Sequence, residues 1–214
     1  MRIVMSSNLL PIAKEGFSRI GIAFLAFVFF AIFDLDFLKL ISFLVVIFLL
    51  FVYRNPERMS PILEVKSVVS PVDGTVISID ELDDSEYAYK IEIDSNYFDV
   101  SLLRSPLSAT IKSVDIKRGA RLSKDSVLAN ELNERVEIVF EDSFKNFVKV
   151  KHMLKQSFDA IKVDLNTQQK TLQGARYGLM INGITTIYLP KNFRVNLSIG
   201  QEVNASQSLV GYFS

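Results

Sequence analysis

The chain has 214 residues, enough for one ordinary domain plus an anchor and too few for two full-sized domains. It is 49% hydrophobic, has zero formal net charge and carries no long basic run, which leaves no electrostatic footprint for nucleic acid. The absence of cysteine excludes disulfides, thiolate metal sites and thiol nucleophiles, and a single histidine, His152, excludes a multi-histidine metal centre.

The hydrophobic excess is concentrated near the N-terminus. Between Ile20 and Val52 the only residues outside the Ile, Leu, Val, Phe and Ala set are Gly21, Asp34, Asp36, Lys39 and Ser42. Two apolar runs, Ile20–Phe33 and Phe37–Val52, flank a short acidic break. As helices they would each extend about 21–24 Å, against a hydrocarbon core of roughly 30 Å. Lys14 and Arg19 precede the first run, and Arg54 and Arg58 follow the second. Positive charge at both outer ends favours a helical hairpin with both ends cytoplasmic. A single helix across both runs would place Asp34 and Asp36 near mid-bilayer, at roughly 2.5–3.5 kcal/mol per charge. A signal peptide needs a small-residue cleavage site, which Phe33-Asp34-Leu35-Asp36 does not supply. Residues 1–58 are therefore expected to be a membrane anchor with a basic flank, at the cytoplasmic face of a bacterial inner membrane.

From residue 59 the pattern changes to short runs rich in Val, Ile, Phe and Tyr, separated by Gly, Asp, Asn, Pro and Ser. Strands are expected at 68–69, 75–79, 89–93, 136–140, 147–150, 160–163 and 186–189. Asp73-Gly74 is a tight-turn signal between two of them. Helical periodicity is confined to short turns within 120–132 and 95–100, so the alternating helices of a parallel α/β fold are missing. The expected class for residues 59–214 is mainly β with a few short helices. Two stretches, Ile199–Val203 followed by Ser208–Gly211, and Lys117–Leu122 followed by Val127-Leu128, share a glycine-then-apolar pattern. That pattern suits the corners of a flattened β-sandwich, and it suits two ordinary hairpins equally.

Polar signals recur along the domain. Arg54 and Arg58 in Tyr53-Arg54-Asn55-Pro56-Glu57-Arg58 follow the apolar block, where arginines can grip lipid phosphates or simply set topology. Ser70-Pro71-Val72-Asp73-Gly74 carries an aspartate at a turn; Asn133-Glu134-Arg135 enters a strand; Arg176-Tyr177-Gly178 leads through Asn182-Gly183-Ile184-Thr185 to Tyr188-Leu189-Pro190. His152 reads as a surface or packing residue.

In this order and spacing the motifs resemble the phosphatidylserine decarboxylases, in particular their short bacterial and archaeal type. The Phe-Phe-Arg-Asn-Pro-type motif is matched by Val52–Arg58, the Ser-Pro-Ala-Asp-Gly motif by Ser70–Gly74, and the Val-His-Val-Asn-Arg-x-Pro motif falls on Val100–Pro106. Asn-Glu-Arg is intact at Asn133, Glu134 and Arg135, and the Gly-Ser … Tyr-Leu-Pro segment falls on Gly183 through Pro190. The resemblance implies lipoyl-like flattened sandwich units, a membrane phospholipid substrate and a role in phosphatidylethanolamine metabolism. It also implies self-cleavage at Gly-Ser, which leaves a pyruvoyl group that condenses with the substrate amine and acts as an electron sink. An aspartate–histidine pair would activate the serine.

Residue by residue, the aspartate is kept as Asp73, the histidine position reads Ser101, and the serine position reads Ile184 after Gly183. Isoleucine has no hydroxyl with which to attack a carbonyl, and serine offers no useful base near neutrality. The resemblance therefore implies a chain that is not self-processing, with no cofactor and no metal. It would act by binding lipid through Arg54, Arg58, Arg104, Asn133, Glu134 and Arg135, or by pairing with a lipid-synthesis enzyme or an active decarboxylase subunit. The alternative is a divergent enzyme in which Thr185 replaces the serine and forms a carbonyl group near Gly183–Thr185. Oligomeric state stays open.

Overall fold

The computed structural model describes residues 10–58, 61, 66–83 and 86–214. The expected boundary at residue 59 lies outside them. Of the described residues, 10–57 form one compact unit and 58–214 with residue 61 belong to another.

The first unit is the helical hairpin expected from the apolar runs. A single 3₁₀ turn, Lys14–Gly16, leads into α1 (Phe17–Ile32), and α2 (Asp36–Val52) returns after a tight connection in which Asp34 takes a left-handed φ of 52°. Aspartate is among the few non-glycine residues that adopt this conformation readily. The helices meet through pairs such as Phe27 and Phe43, whose ring centroids are 5.8 Å apart. The two ends of the hairpin are clasped by Ala13 N–H donating to the Tyr53 carbonyl (2.8 Å) and Asn55 N–H donating to the Pro11 carbonyl (2.7 Å). Phe24, Leu25, Phe29, Phe37 and Leu44 point outward and are exposed, an apolar surface that water does not tolerate over this extent. The helical segment Lys14–Ile32 is long and apolar enough to cross a membrane.

The second unit is mainly β and antiparallel. In chain order its elements are β1 (Ser67–Val69), β2 (Gly74–Glu81), β3 (Tyr89–Ser95), β4 (Leu102–Arg104), β5 (Ala109–Lys117), α3 (Ala129–Leu132), β6 (Arg135–Glu141), β7 (Phe147–Leu154), β8 (Lys162–Val163), β9 (Lys170–Thr171), β10 (Arg176–Leu179), β11 (Gly183–Leu189), β12 (Phe193–Val195), β13 (Glu202–Val203) and β14 (Leu209–Phe213). Eight strands form one sheet in the order β13-β2-β3-β11-β7-β6-β5-β9, and two three-stranded sheets are ordered β1-β14-β12 and β4-β10-β8. One hydrophobic cluster joins all three: Ile91, Ile187, Val150 and Ile138 from the large sheet, Val210 and Phe213 from the first small sheet, Leu103 and Tyr177 from the second.

Several local expectations change in the folded chain. Asp73-Gly74 does not close a hairpin, because β1 pairs with β14 while β2 pairs with β3 and β13. The segment crosses between sheets, and Gly74 is needed for close approach: at φ 153° a Cβ there would lie 2.3 Å from the Asp94 carbonyl oxygen. The two glycine-containing stretches do not share a structure. The C-terminal one changes sheets between β13 and β14, whereas Val127 and Leu128 in the other are exposed loop residues. The helical signal in 120–132 reduces to the single turn α3, and 95–100 forms no helix. β5 was not expected, because a bulge between Ile111 and Ser113 shifts its apolar phase.

Candidate functional site

The sequence motifs converge around the first residues of β11. This strand lies between β3 and β7, and its register places Gly183 opposite Ser95 and Leu154, Ile184 opposite Asp94 and Met153, Thr185 opposite Ile93 and His152, and Thr186 opposite Glu92 and Lys151. Gly183 follows Asn182, which takes a left-handed φ of 57° and is held by Lys155 N–H donating to its carbonyl (3.1 Å). A side chain at Gly183 has no room, since its Cβ would lie 2.6 Å from the Met153 carbonyl oxygen and 2.5 Å from Met180 Sδ.

The Ser95 hydroxyl donates to the Asp73 carbonyl at 2.5 Å, so the Asp73 backbone is one strand away from Gly183. Ser101 is buried, and its carbonyl accepts from Met180 N–H at 2.8 Å, which places it behind the residue that packs on Gly183. On the far side, Asn133 Nδ2 donates to the carbonyl of Leu154, the β7 partner of Gly183, at 2.8 Å. Asp73, Ser101, Gly183 and Asn133, spread over more than half the chain, thus share one end of the large sheet.

The side chains at this end are mostly committed to one another. Asp73 is 5% exposed and receives a two-pronged bond from Arg58, with Nη2 2.6 Å from Oδ2, while the Ala205 amide donates to Oδ1 at 2.8 Å. Arg104 is buried and donates to the Gly174 carbonyl at 3.1 Å. Asn133 accepts from Leu122 N–H (2.8 Å) and donates to the Leu122 carbonyl (2.9 Å), tying down the loop before α3. Glu134 is buried, bonded to Arg118, to Arg121 at 3.5 Å and to the Ile161 amide at 3.2 Å. Arg135 caps α3 by donating to the carbonyls of Asn130 (3.1 Å) and Glu131 (3.0 Å), a placement that also suits the helix dipole. Arg54 lies in the hairpin unit, where it donates to the Phe51 carbonyl (3.0 Å) and stacks over the Phe51 ring at 4.1 Å.

Strand alternation separates the candidate residues of β11 onto two faces. Thr185 points into the core with Ile187 and is fully buried. Its hydroxyl is 2.8 Å from Nδ1 of His152, whose Nε2 is 2.6 Å from the Tyr177 phenol. Burial forces the imidazole pKa down to about 3 and pushes the Tyr177 phenol up, so the Thr185–His152–Tyr177 chain is neutral near pH 7. The residue type alone suggested no partner for His152; only the β7–β11 register supplies one. Ile184 and Thr186 point the other way, into an open cleft of about 510 Å³ that Lys90, Glu92, Lys151 and Tyr188 also line. Among the described residues no cluster of three His, Cys, Asp or Glu side chains could hold a metal ion.

A family model described as phosphatidylserine decarboxylase matches residues 46–211, which include every motif gathered at this sheet end. The chain belongs to the phosphatidylserine decarboxylase family. Among similar proteins, the phosphatidylserine decarboxylase proenzyme of Desulfotalea psychrophila is 30% identical over 209 residues, spanning 94% of this chain and 96% of that one. The corresponding proenzymes of Paraburkholderia xenovorans and Syntrophus aciditrophicus are each 30% identical, over 206 and 210 residues, and cover 93% and 94% of this chain and 95% and 97% of their own. No solved structure matches the chain.

Proposed function

We propose that this member of the phosphatidylserine decarboxylase family remains a single unprocessed chain and serves phosphatidylethanolamine-related phospholipid metabolism by binding lipid or a partner enzyme. The hairpin α1–α2 is its membrane anchor, with the β domain on the cytoplasmic side of a bacterial inner membrane. One observation carries the reading: the residue after Gly183 is Ile184, an aliphatic side chain in the cleft where a nucleophilic hydroxyl would be required. A serine-derived pyruvoyl group does not fit this position, because its formation begins with a β-hydroxyl. The surroundings support the same conclusion. Both carboxylate oxygens of Asp73 are bound by Arg58, and Ser101 supplies no imidazole.

A second reading rests on the 2.8 Å contact between Thr185 and His152. Attack of the Thr185 hydroxyl on the Ile184 carbonyl, with His152 taking the proton, would convert the peptide bond to an ester. Elimination of the Ile184 carboxylate and hydrolysis of the resulting imine would release ammonia and leave a 2-oxobutanoyl group. Two features weigh against it: an imidazole whose pKa is pressed to about 3 is a poor base at neutral pH, and the Ile184–Thr185 peptide is laddered to strands on both sides.

Intact mass of the protein extracted from native membranes separates the two readings. The expected result is one chain near 24.2 kDa. Two fragments divided at Ile184–Thr185, the second with a blocked N-terminus, would overturn the proposal and establish Thr185 as the nucleophile.

A further inference from the structure

The cleft on the outer face of the large sheet contains an amine that the family reading leaves unused. The register sets Glu92, Thr186, Lys151 and Glu137 side by side in one row across β3, β11, β7 and β6. Lys151 stands between Thr186 and Glu137, with Glu92 beyond Thr186, and both carboxylates are paired with other lysines: Lys90 Nζ lies 2.9 Å from Glu92 Oε1, and Lys149 Nζ lies 2.7 Å from Glu137 Oε2. The Lys151 side chain makes no ion pair or hydrogen bond among the described residues, although it is partly buried and lines the cleft. Ile77, Met153 and Ile184 supply apolar lining to the same cleft.

An ammonium withdrawn from water without a counter-ion is costly, and loss of its proton relieves that cost. Burial, with Arg135 and Lys149 adding to it, holds the Lys151 pKa below the ordinary lysine value against the opposing pull of Glu137 and Glu92. A lowered pKa enlarges the share of Lys151 in the neutral form, which is the nucleophile for carbonyl carbon.

We propose that Lys151 captures small 2-oxo acids in this cleft as a Schiff base. The Nζ lone pair forms a bond to the oxo carbon, giving a carbinolamine. The carbon–oxygen bond then breaks, and the oxygen leaves as water with the two protons that the amine gives up. The carboxylate of the 2-oxo acid has a partner in Lys124, which lines the same cleft. Lys124 is 3.1 Å from Asp94, and Lys155 also binds Asp94, so Lys124 can turn to a ligand without leaving that carboxylate unpaired. The inference goes beyond the lipid- or partner-binding role and rests on the unprocessed chain, in which β11 is intact beneath the cleft.

The full-length protein in detergent is incubated at neutral pH with pyruvate and cyanoborohydride, and the reduced adducts are located by peptide mapping. The expected result is label on Lys151 in several-fold excess over the exposed lysines Lys170 and Lys191, and its loss in Lys151→Arg with an unchanged thermal midpoint. Acetone, a ketone that lacks the carboxylate, should favour Lys151 over Lys170 by a smaller factor than pyruvate does, and Lys124→Ala should abolish that difference. Equal labelling of Lys151, Lys170 and Lys191 would overturn the capture site. An equal preference for Lys151 over Lys170 with acetone and with pyruvate would overturn the assignment to 2-oxo acids. Chain cleavage is read from the same spectra, so the outcome is distinguishable from failure of the unprocessed-chain reading.

Discussion

His152 Nδ1 lies 2.8 Å from the Thr185 hydroxyl, joining the only imidazole of the chain to a threonine two residues beyond Gly183. The pair sits on the core face of the sheet, opposite the face on which Ile184 and Lys151 stand. Its depth makes it a structural bond first, and the same depth makes it measurable.

Folding should depend on pH through His152. Burial presses its folded pKa to about 3, below the ordinary imidazole value of 6.5, so between those values the unfolded chain binds a proton that the folded chain does not. The contribution is complete above pH 6.5 and is lost as pH falls toward 3, with a limiting slope of about 1.4 kcal/mol per pH unit. Denaturant titrations across this range should show the slope, and His152→Gln should remove most of it.

Thr185→Val keeps the shape and deletes the hydroxyl, leaving His152 Nδ1 without its partner in the core. The expected cost is about 1–3 kcal/mol, read as a lower urea midpoint at an unchanged m-value.

Asp73 and Arg58 form a buried pair, with side chains 7% and 12% exposed. Arg58→Leu strands the carboxylate and should destabilise the domain by about 3–5 kcal/mol. The double variant Arg58→Leu with Asp73→Leu should recover part of that loss, because no charge is then left unpaired. An additive double variant in a thermodynamic cycle would falsify the view that the two residues act as a unit.

Ile184→Ser restores a hydroxyl immediately after Gly183. The expected result is still one intact chain by mass spectrometry, since Asp73 is occupied by Arg58 and Ser101 provides no base.

Much of the architecture was legible in residue types. The apolar density of residues 20–52, broken at Asp34 and Asp36, describes two helices and their turn, because hydropathy and chain breaks are local properties. Alternating Val, Ile and Phe mark β3, β6 and β7 for the same reason. β5 was hidden by its bulge. Asn133 and Glu134 were visible as a motif, but their attachment to Leu122, Leu154 and Arg118 was not.

The sequence by itself determined the chemistry this protein can hold: an apolar hairpin, no thiol, one imidazole, an aspartate at position 73 and an isoleucine after Gly183. Only the tertiary structure decided which groups meet. Side-chain type is encoded residue by residue, whereas face and partner follow from strand register, which pairs residues far apart in the chain and reverses with a shift of one. That register puts Thr185 on His152 in the core, and it puts Lys151 beside Glu137, a carboxylate already claimed by Lys149.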